Sequence, residues 1–179
     1  MSLQTEIPSL ASLEFLSYLG SDGKIDENIA GKIGVYGIFD HEQSLSYVGY
    51  SRDIYLSLKQ HLIRQPDRCH WIKLQTIERP SRKILDEIAT AWISENGSTP
   101  AGNDTEQHLW TDPIDANPAM TEDEKAQYQQ SEESKQIKIR KQVARRVEAE
   151  ILEQLRDRGV QMEIRFNPKL KEKGLLDLK

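Results

Sequence analysis

Cys69 is the one cysteine in 179 residues. That excludes a disulfide framework and a cysteine-rich zinc site, and it fits a reducing compartment such as the cytoplasm. Large aromatics are also scarce. Three Phe and three Trp are the main anchors for a core, and apolar residues make up 37% of the chain, on the low side for a globular protein. A modest core carrying polar extensions is expected. No apolar run approaches the ~20 residues of a membrane-spanning helix, and the mean hydropathy is -0.66, so no membrane association is expected. The opening MSLQTEIPSL lacks the basic and apolar regions of a secretory signal. Positive charge is in deficit overall. The balance of 24 Lys and Arg against 29 Asp and Glu leaves a net charge of -5. A whole-protein field that would hold nucleic acid is therefore absent, and such contact must come from a local basic patch. The four histidines, 41, 61, 70 and 108, share no metal-ligand spacing.

What is present is a series of short periodic segments. Leu10, Leu13, Phe15, Leu16 and Leu19 lie near helical spacing, which predicts a helix over 8–19 ended by Gly20 to Gly23. KIGVYGIFD, residues 32–40, reads as a buried strand, and LSYVGY, residues 45–50, as its hairpin partner. Asp53 is placed to cap a helix bearing Ile54, Leu58 and Leu62 that runs to about Arg64. WIKLQTI, residues 71–77, alternates as a third strand. Pro80 then sits as the first residue of a second helix, with Ile84, Leu85, Ile88 and Trp92 on one side and Asn96-Gly97 at its end. Residues 97–120 have no period and read as a long loop held through Leu109, Trp110 and Ile114. Thr121 opens an acidic stretch able to cap a short helix. Ile139, Val143, Val147, Ile151 and Leu155 then mark a long helix closed by Gly159, with a strand expected over 160–166. The fold class is α/β in the α+β sense: a small, mainly antiparallel three-stranded sheet flanked by helices, with an added C-terminal helix and short strand. The expected divisions are 1–30, 31–103, 104–133 and 134–179.

Two triplets carry the first chemical signal. Gly34-Val35-Tyr36 and Tyr47-Val48-Gly49 each set a tyrosine beside a glycine on adjacent strands of one hairpin. Glycine weakens a strand unless a ligand or another backbone must come close, so the pairs suggest a surface where phenols reach a ligand. The plainer reading is a hairpin with half-buried tyrosine rings and wet hydroxyls.

These triplets resemble the signature of the GIY-YIG nuclease superfamily, with Val for Ile in both. The order that follows is similar too: Ser51-Arg52-Asp53-Ile54, a helix ending near His61, a strand, a helix containing Glu87, and Pro100-Ala101-Gly102-Asn103. GVYGIFD, YVGYSRDI, SLKQHL and TPAGN are closer still to the N-terminal domain of plant plastid monothiol glutaredoxins and their stand-alone cyanobacterial relatives. No glutaredoxin active-site motif accompanies them, since Cys69 sits in Asp67-Arg68-Cys69-His70-Trp71. The resemblance implies metal-dependent hydrolysis of DNA phosphodiesters, or DNA binding by a degenerate relative. The implied cofactor is Mg2+ or Mn2+. Tyr36 would act as general base or proton relay and Tyr47 would orient the machinery. A helix arginine would stabilise phosphate charge and a glutamate would hold the metal. Tyrosine is a poor base at its ordinary pKa of ~10 unless a cation lowers it.

Two positions depart from the family pattern. Ser57 stands ten residues after Tyr47, where the family carries its arginine, and the nearest arginine is Arg52. Spacing places the metal glutamate at Ala91 or Ala89, and Glu87 is the nearby acid. Arg52 and Glu87 are therefore the candidates beside Tyr36 and Tyr47, each with a surface-charge reading open. His61 either faces the pocket or simply ends its helix. Lys138, Lys141 and Arg145 lie within ~60° of one another on the C-terminal helix and form a candidate nucleic-acid face. Glu148, Glu150 and Glu153 follow closely, so a solvated, paired face is the other reading. The apolar stripe of that helix is expected to bury against the nuclease-like core or against a second copy in a homodimer. A non-catalytic protein-interaction module is the competing function.

Overall fold

Four antiparallel strands, β1 (Leu16–Ser17), β2 (Ile33–Phe39), β3 (Leu45–Ser51) and β4 (Trp71–Ile77), form one sheet in the order β1-β4-β2-β3. They belong to a computed structural model that describes residues 7–179. The chain divides into two units, one ending at Thr111 and the other spanning Asp112–Lys179. The three expected strands are all present, and β1 adds a two-residue fourth.

Strand alternation decides what each face carries. Val35, Phe39, Val48 and Tyr50 point one way, where α2 (Arg82–Glu95) covers them with Leu85, Ile88 and Trp92. Tyr36, Ile38, Tyr47 and Gly49 point the other way, toward α1 (Ile54–Arg64). Asp53 caps α1, accepting from the Leu56 N–H at 3.3 Å. Ser81 caps α2 in the same way through Ile84. Pro80 therefore stands just ahead of the cap rather than as the first helical residue, and a hydroxyl N-cap outranks the proline signal here.

The helix expected over 8–19 does not form. Leu10–Ser12 make a single 3-10 turn and Leu16–Ser17 extend as β1. The backbone groups that a helix would use find tertiary partners instead. The Glu95 carboxylate accepts from the Leu10 and Ala11 N–H groups, both at 2.8 Å, and Lys73 Nζ donates to the Leu10 carbonyl at 2.9 Å. Tyr18 is buried and its hydroxyl donates to the Leu58 carbonyl. Residues 97–120 are likewise not a structureless loop. They hold a 3-10 turn at Ala101–Asn103, α3 (Gln107–Thr111), β5 (Ile114–Asp115) and a second turn at Asn117–Ala119.

In the C-terminal unit, Thr121 and Glu124 form a capping box on α4 (Glu122–Gln130). The long helix α5 (Glu133–Asp157) is followed by Gly159 at φ +87°. A short α6 (Pro168–Lys171) leads to β6 (Leu175–Leu176), which pairs with β5. The strand expected over 160–166 is reduced to one bridge, Phe166 to Leu178. On α5, Ile139, Val143, Ile151 and Leu155 are buried and Val147 half-buried, packed on α4, α6, β6 and the 117–119 turn. The stripe is thus covered inside its own unit. No helix among the described residues is long and apolar enough to cross a membrane.

Candidate functional site

Register brings the two tyrosines together. Tyr36 pairs with Gly49 and Ile38 with Tyr47, so the phenols are diagonal neighbours on the α1 face, with ring centroids 6.4 Å apart. Gly49 is the floor beneath them. A Cβ there would lie 2.7 Å from both Tyr36 Oη and Tyr47 Cε1. Gly34 answers a different demand, because its Cβ would come 2.3 Å from the Gln75 carbonyl of β4.

His61, one turn after Ser57 on α1, shares a 2.8 Å hydrogen bond between Nε2 and the Tyr36 hydroxyl. Its ring also lies 4.9 Å from that of Tyr47. Ser57 occupies the position where an arginine was expected and lies beside the Tyr36 hydroxyl, where it favours the ionised phenol. Its hydroxyl in turn donates to Ser51 Oγ at 2.7 Å, and Ser51 donates to the Asp53 carbonyl. Trp110 of α3 closes the cluster, stacked on Tyr47 at 5.2 Å with planes 3° apart. The Trp110 carbonyl takes a 2.8 Å hydrogen bond from Arg64 Nη1 of α1. Arg68 and Glu106 form an ion pair just before α3.

The Pro-x-x-Asn stretch sets this closure. Asn103 accepts from the Val48 N–H at 2.8 Å and donates to the Val48 carbonyl at 2.7 Å. Gly102 approaches so closely that a Cβ would meet the Ser46 carbonyl at 2.5 Å and Trp110 Nε1 at 2.7 Å. The result is a sealed cluster: Tyr36 is 3% exposed, Tyr47 8%, His61 5% and Trp110 0%.

Burial governs the protons. It pushes the Tyr36 hydroxyl far above its ordinary range, aided by Tyr47, and Ser57 and Arg64 only partly oppose it. Tyr47 is raised by burial too, with Arg64 pulling against it. Burial, with Arg64 next, lowers His61 to about 3, against a smaller opposite pull from the Trp110 carbonyl. At neutral pH the cluster is uncharged, with protonated phenols beside a neutral imidazole.

The remaining expected residues lie elsewhere. Arg52 is exposed and lines a groove with Tyr50, Pro80 and Leu85 on the α2 side of the sheet. Glu87 is exposed on α2, between the buried Leu85 and Ile88, and the sheet separates that helix from the tyrosines. Neither reaches Tyr36. No carboxylate figures among the groups acting on either tyrosine. Among the described residues no three His, Cys, Asp or Glu side chains gather to hold a metal ion. Mg2+ and Mn2+ are held through one or two carboxylates together with water, and the tyrosine cluster itself contributes none.

On α5, Lys138 and Arg145 are exposed, while Lys141 pairs with Glu172 at 3.5 Å. Two further cations of the basic run are engaged, Arg146 with Glu124 at 2.7 Å and Arg140 over the Tyr128 ring at 5.0 Å. Lys135 and Lys138 line a groove with Gln127, Gln130 and Gln142 that contains no carboxylate. Sequence reasoning left His61 undecided and missed Ser57, Arg64 and Trp110 as members of the cluster. The four-residue step from Ser57 to His61 was the available signal, since it puts both on one helix face. Nothing local marks Trp110, which arrives through a long-range closure.

No family model matches the chain. Over 105 residues it is 30% identical to the bifunctional monothiol glutaredoxin-S16, chloroplastic, of Arabidopsis thaliana, covering 56% of this chain and 34% of that protein. The chain thus spans about a third of the length of this relative.

Proposed function

We propose that the N-terminal unit is a GIY-YIG-type nuclease domain in which hydrolysis is vestigial, and that the chain acts by binding DNA. The observation that carries this reading is the Tyr36–His61 hydrogen bond inside a sealed pocket, with Ser57 where a cation is needed. A tyrosine that is to accept a proton from water needs a lowered pKa, and a phosphate in transit needs positive charge beside it. Here the phenol is raised and Ser57 is neutral. The pairing of Tyr36 with Tyr47 over Gly49, and of Asn103 with Val48, supports descent from the nuclease plan. The resemblance to part of a protein named as bifunctional agrees with a separable second role for this type of domain. DNA contact is supported by the groove of Lys135 and Lys138 and by the exposed Arg145.

Nicking of supercoiled plasmid in Mg2+ or Mn2+, run beside DNA binding in EDTA, tests the reading. The intact chain should nick no faster than Tyr36→Phe, yet bind DNA with an affinity that falls as salt rises. Ala at Lys138 and Arg145 should flatten that salt dependence by about two contacts. Nicking 100-fold above the Tyr36→Phe background would restore an active nuclease. No binding at low salt would leave a protein-interaction module as the function.

A further inference from the structure

We propose that the groove between the end of β3 and the start of α2 holds one nucleotide unit of a DNA strand, its phosphate on Arg52 and Arg82 and its base against Tyr50. The proposal rests on the DNA reading above and names a second contact for it, on the face of the sheet opposite the tyrosine cluster. The groove encloses about 340 Å3, which suits a small ligand unit and is too small for a duplex.

Its lining divides into two chemistries. Arg52, Arg82 and Ser81 offer cations and a hydroxyl, while Tyr50, Pro80 and Leu85 offer an aromatic and apolar wall; the Ser51 hydroxyl is already taken by Ser57 and Asp53. No carboxylate lines it, although the chain as a whole carries five more acids than bases. In an acidic protein, two arginines lining one concavity are a local reversal of sign that favours an anion. Neither guanidinium is committed elsewhere. Arg52 has no ion pair among the described residues, and Arg82 meets Asp86 only at 4.0 Å with both side chains more than half exposed. Such a pair is weak and leaves Arg82 able to turn toward the groove.

The combination is what identifies the ligand class. A free phosphate would use the arginines and leave the apolar wall wet. An acyl chain would use the wall and not two cations. A nucleotide uses both, because guanidinium groups bind phosphate oxygens in a forked arrangement and bases stack on aromatic rings without regard to sequence. Ser57 leaves neutral the helix position where an arginine was expected, so a cationic groove on the opposite face gives Arg52 a role that does not depend on catalysis.

Fluorescence anisotropy of a labelled oligothymidylate on the full chain tests this. Arg52→Ala with Arg82→Ala should weaken binding about tenfold or more at low salt and reduce the salt slope by about 1.4, the value for two single-strand phosphate contacts. Tyr50→Leu should weaken binding and leave the slope unchanged. Both arginines are exposed, so a circular-dichroism melt should confirm that the double variant keeps its fold. If the double variant binds as well as the intact chain while Ala at Lys138 and Arg145 abolishes binding, the groove is overturned and the DNA reading stands. If the intact chain binds no oligonucleotide, both fail. If an aspartate-rich peptide binds with the same dependence on Arg52 and Arg82 and competes with the oligothymidylate at equal concentration, the ligand is an acidic protein segment and the nucleotide assignment is overturned.

Discussion

The two faces of the central sheet both bury apolar side chains, and they differ in how their buried polar groups are arranged. On the α2 face, Val35, Phe39, Val48, Leu85 and Ile88 fill space with carbon, and the buried polar atoms of Trp92 and Lys73 are taken by single backbone carbonyls, of Pro8 and Leu10. Each such apolar side chain contributes roughly 1.5–3 kcal/mol by leaving water, with few constraints on its identity beyond shape. On the α1 face, Tyr36, Tyr47 and His61 are just as deeply buried, yet each carries a polar atom. There, burial is unfavourable until a partner is found, and each partner must be correctly placed. The α2 face is therefore tolerant and strongly stabilising, whereas the α1 face is exacting and contributes less per residue.

The largest expected effect separates the faces directly. Trp92→Ala should lower stability by about 3–5 kcal/mol, because a rigid core keeps the cavity. Trp110→Ala should cost less, since α3 has only five residues and can settle into the space. Urea unfolding midpoints at constant m would show it, and equal losses would mean both faces are equally rigid. Next comes steric tolerance. Gly49→Ala places its Cβ 2.7 Å from Tyr36 Oη, while Gly37→Ala on the other face meets Phe39 and Leu45 side chains at 3.3 Å. Gly49→Ala should be destabilising by about 1–3 kcal/mol and Gly37→Ala by clearly less. The reverse order, in the same assay, would refute the floor assigned to Gly49.

Tyr36→Phe should follow at about 1–3 kcal/mol, because it leaves His61 Nε2 buried without its partner. The same variant with His61→Leu should recover part of the loss, which a double-mutant cycle would register. The pH response is smaller near neutrality and has a definite sign. His61 titrates at about 3 in the folded chain, below its ordinary 6.5. The unfolded chain therefore takes up the proton first. The stability owed to neutral His61 is complete above pH 6.5 and is lost as the pH falls toward 3, at up to about 1.4 kcal/mol per pH unit. Unfolding of His61→Leu between pH 7 and 5 should show a flatter dependence than the intact chain; parallel curves would deny the burial of the imidazole. Least of all should Glu87→Gln matter. An exposed helix carboxylate outside the cluster should change neither the melting temperature nor Mn2+ binding measured by calorimetry, and a lost Mn2+ isotherm would return Glu87 to a metal site.

Elements whose stability is local were legible in the sequence. Asp53 with Ile54, Leu58 and Leu62 announced α1, the alternation of 71–77 announced β4, and the acidic stretch opened by Thr121 announced α4. The closeness of Tyr36 and Tyr47 was expected from their places on adjacent strands of one hairpin, and the register makes them diagonal neighbours. Segments ordered by distant partners were not legible. Leu10 to Leu19 have a helical period, but the Glu95 carboxylate, Lys73 and the His70 carbonyl take their backbone groups. Trp110 stands in a stretch without period, and its place depends on Asn103 and Gly102 meeting β3. Arg52 was expected beside the tyrosines because it was the arginine nearest in sequence to Ser57. Strand alternation carries it to the α2 side with Tyr50, and one residue of parity decides the face.

Asn103 has a consequence beyond closing the tyrosine cluster. β3 is the outermost strand of its sheet on that side, and an outer strand presents unpaired amides and carbonyls to any passing chain. By offering Val48 both a carbonyl and an amide, the Asn103 side chain reproduces one rung of a missing neighbour strand at the middle of β3. A foreign strand can add there only after evicting it. The residue that ends the family-like motif thus also acts as a guard against self-assembly, and Asn103→Ala should reveal itself first as thioflavin-positive aggregation of a chain that still folds.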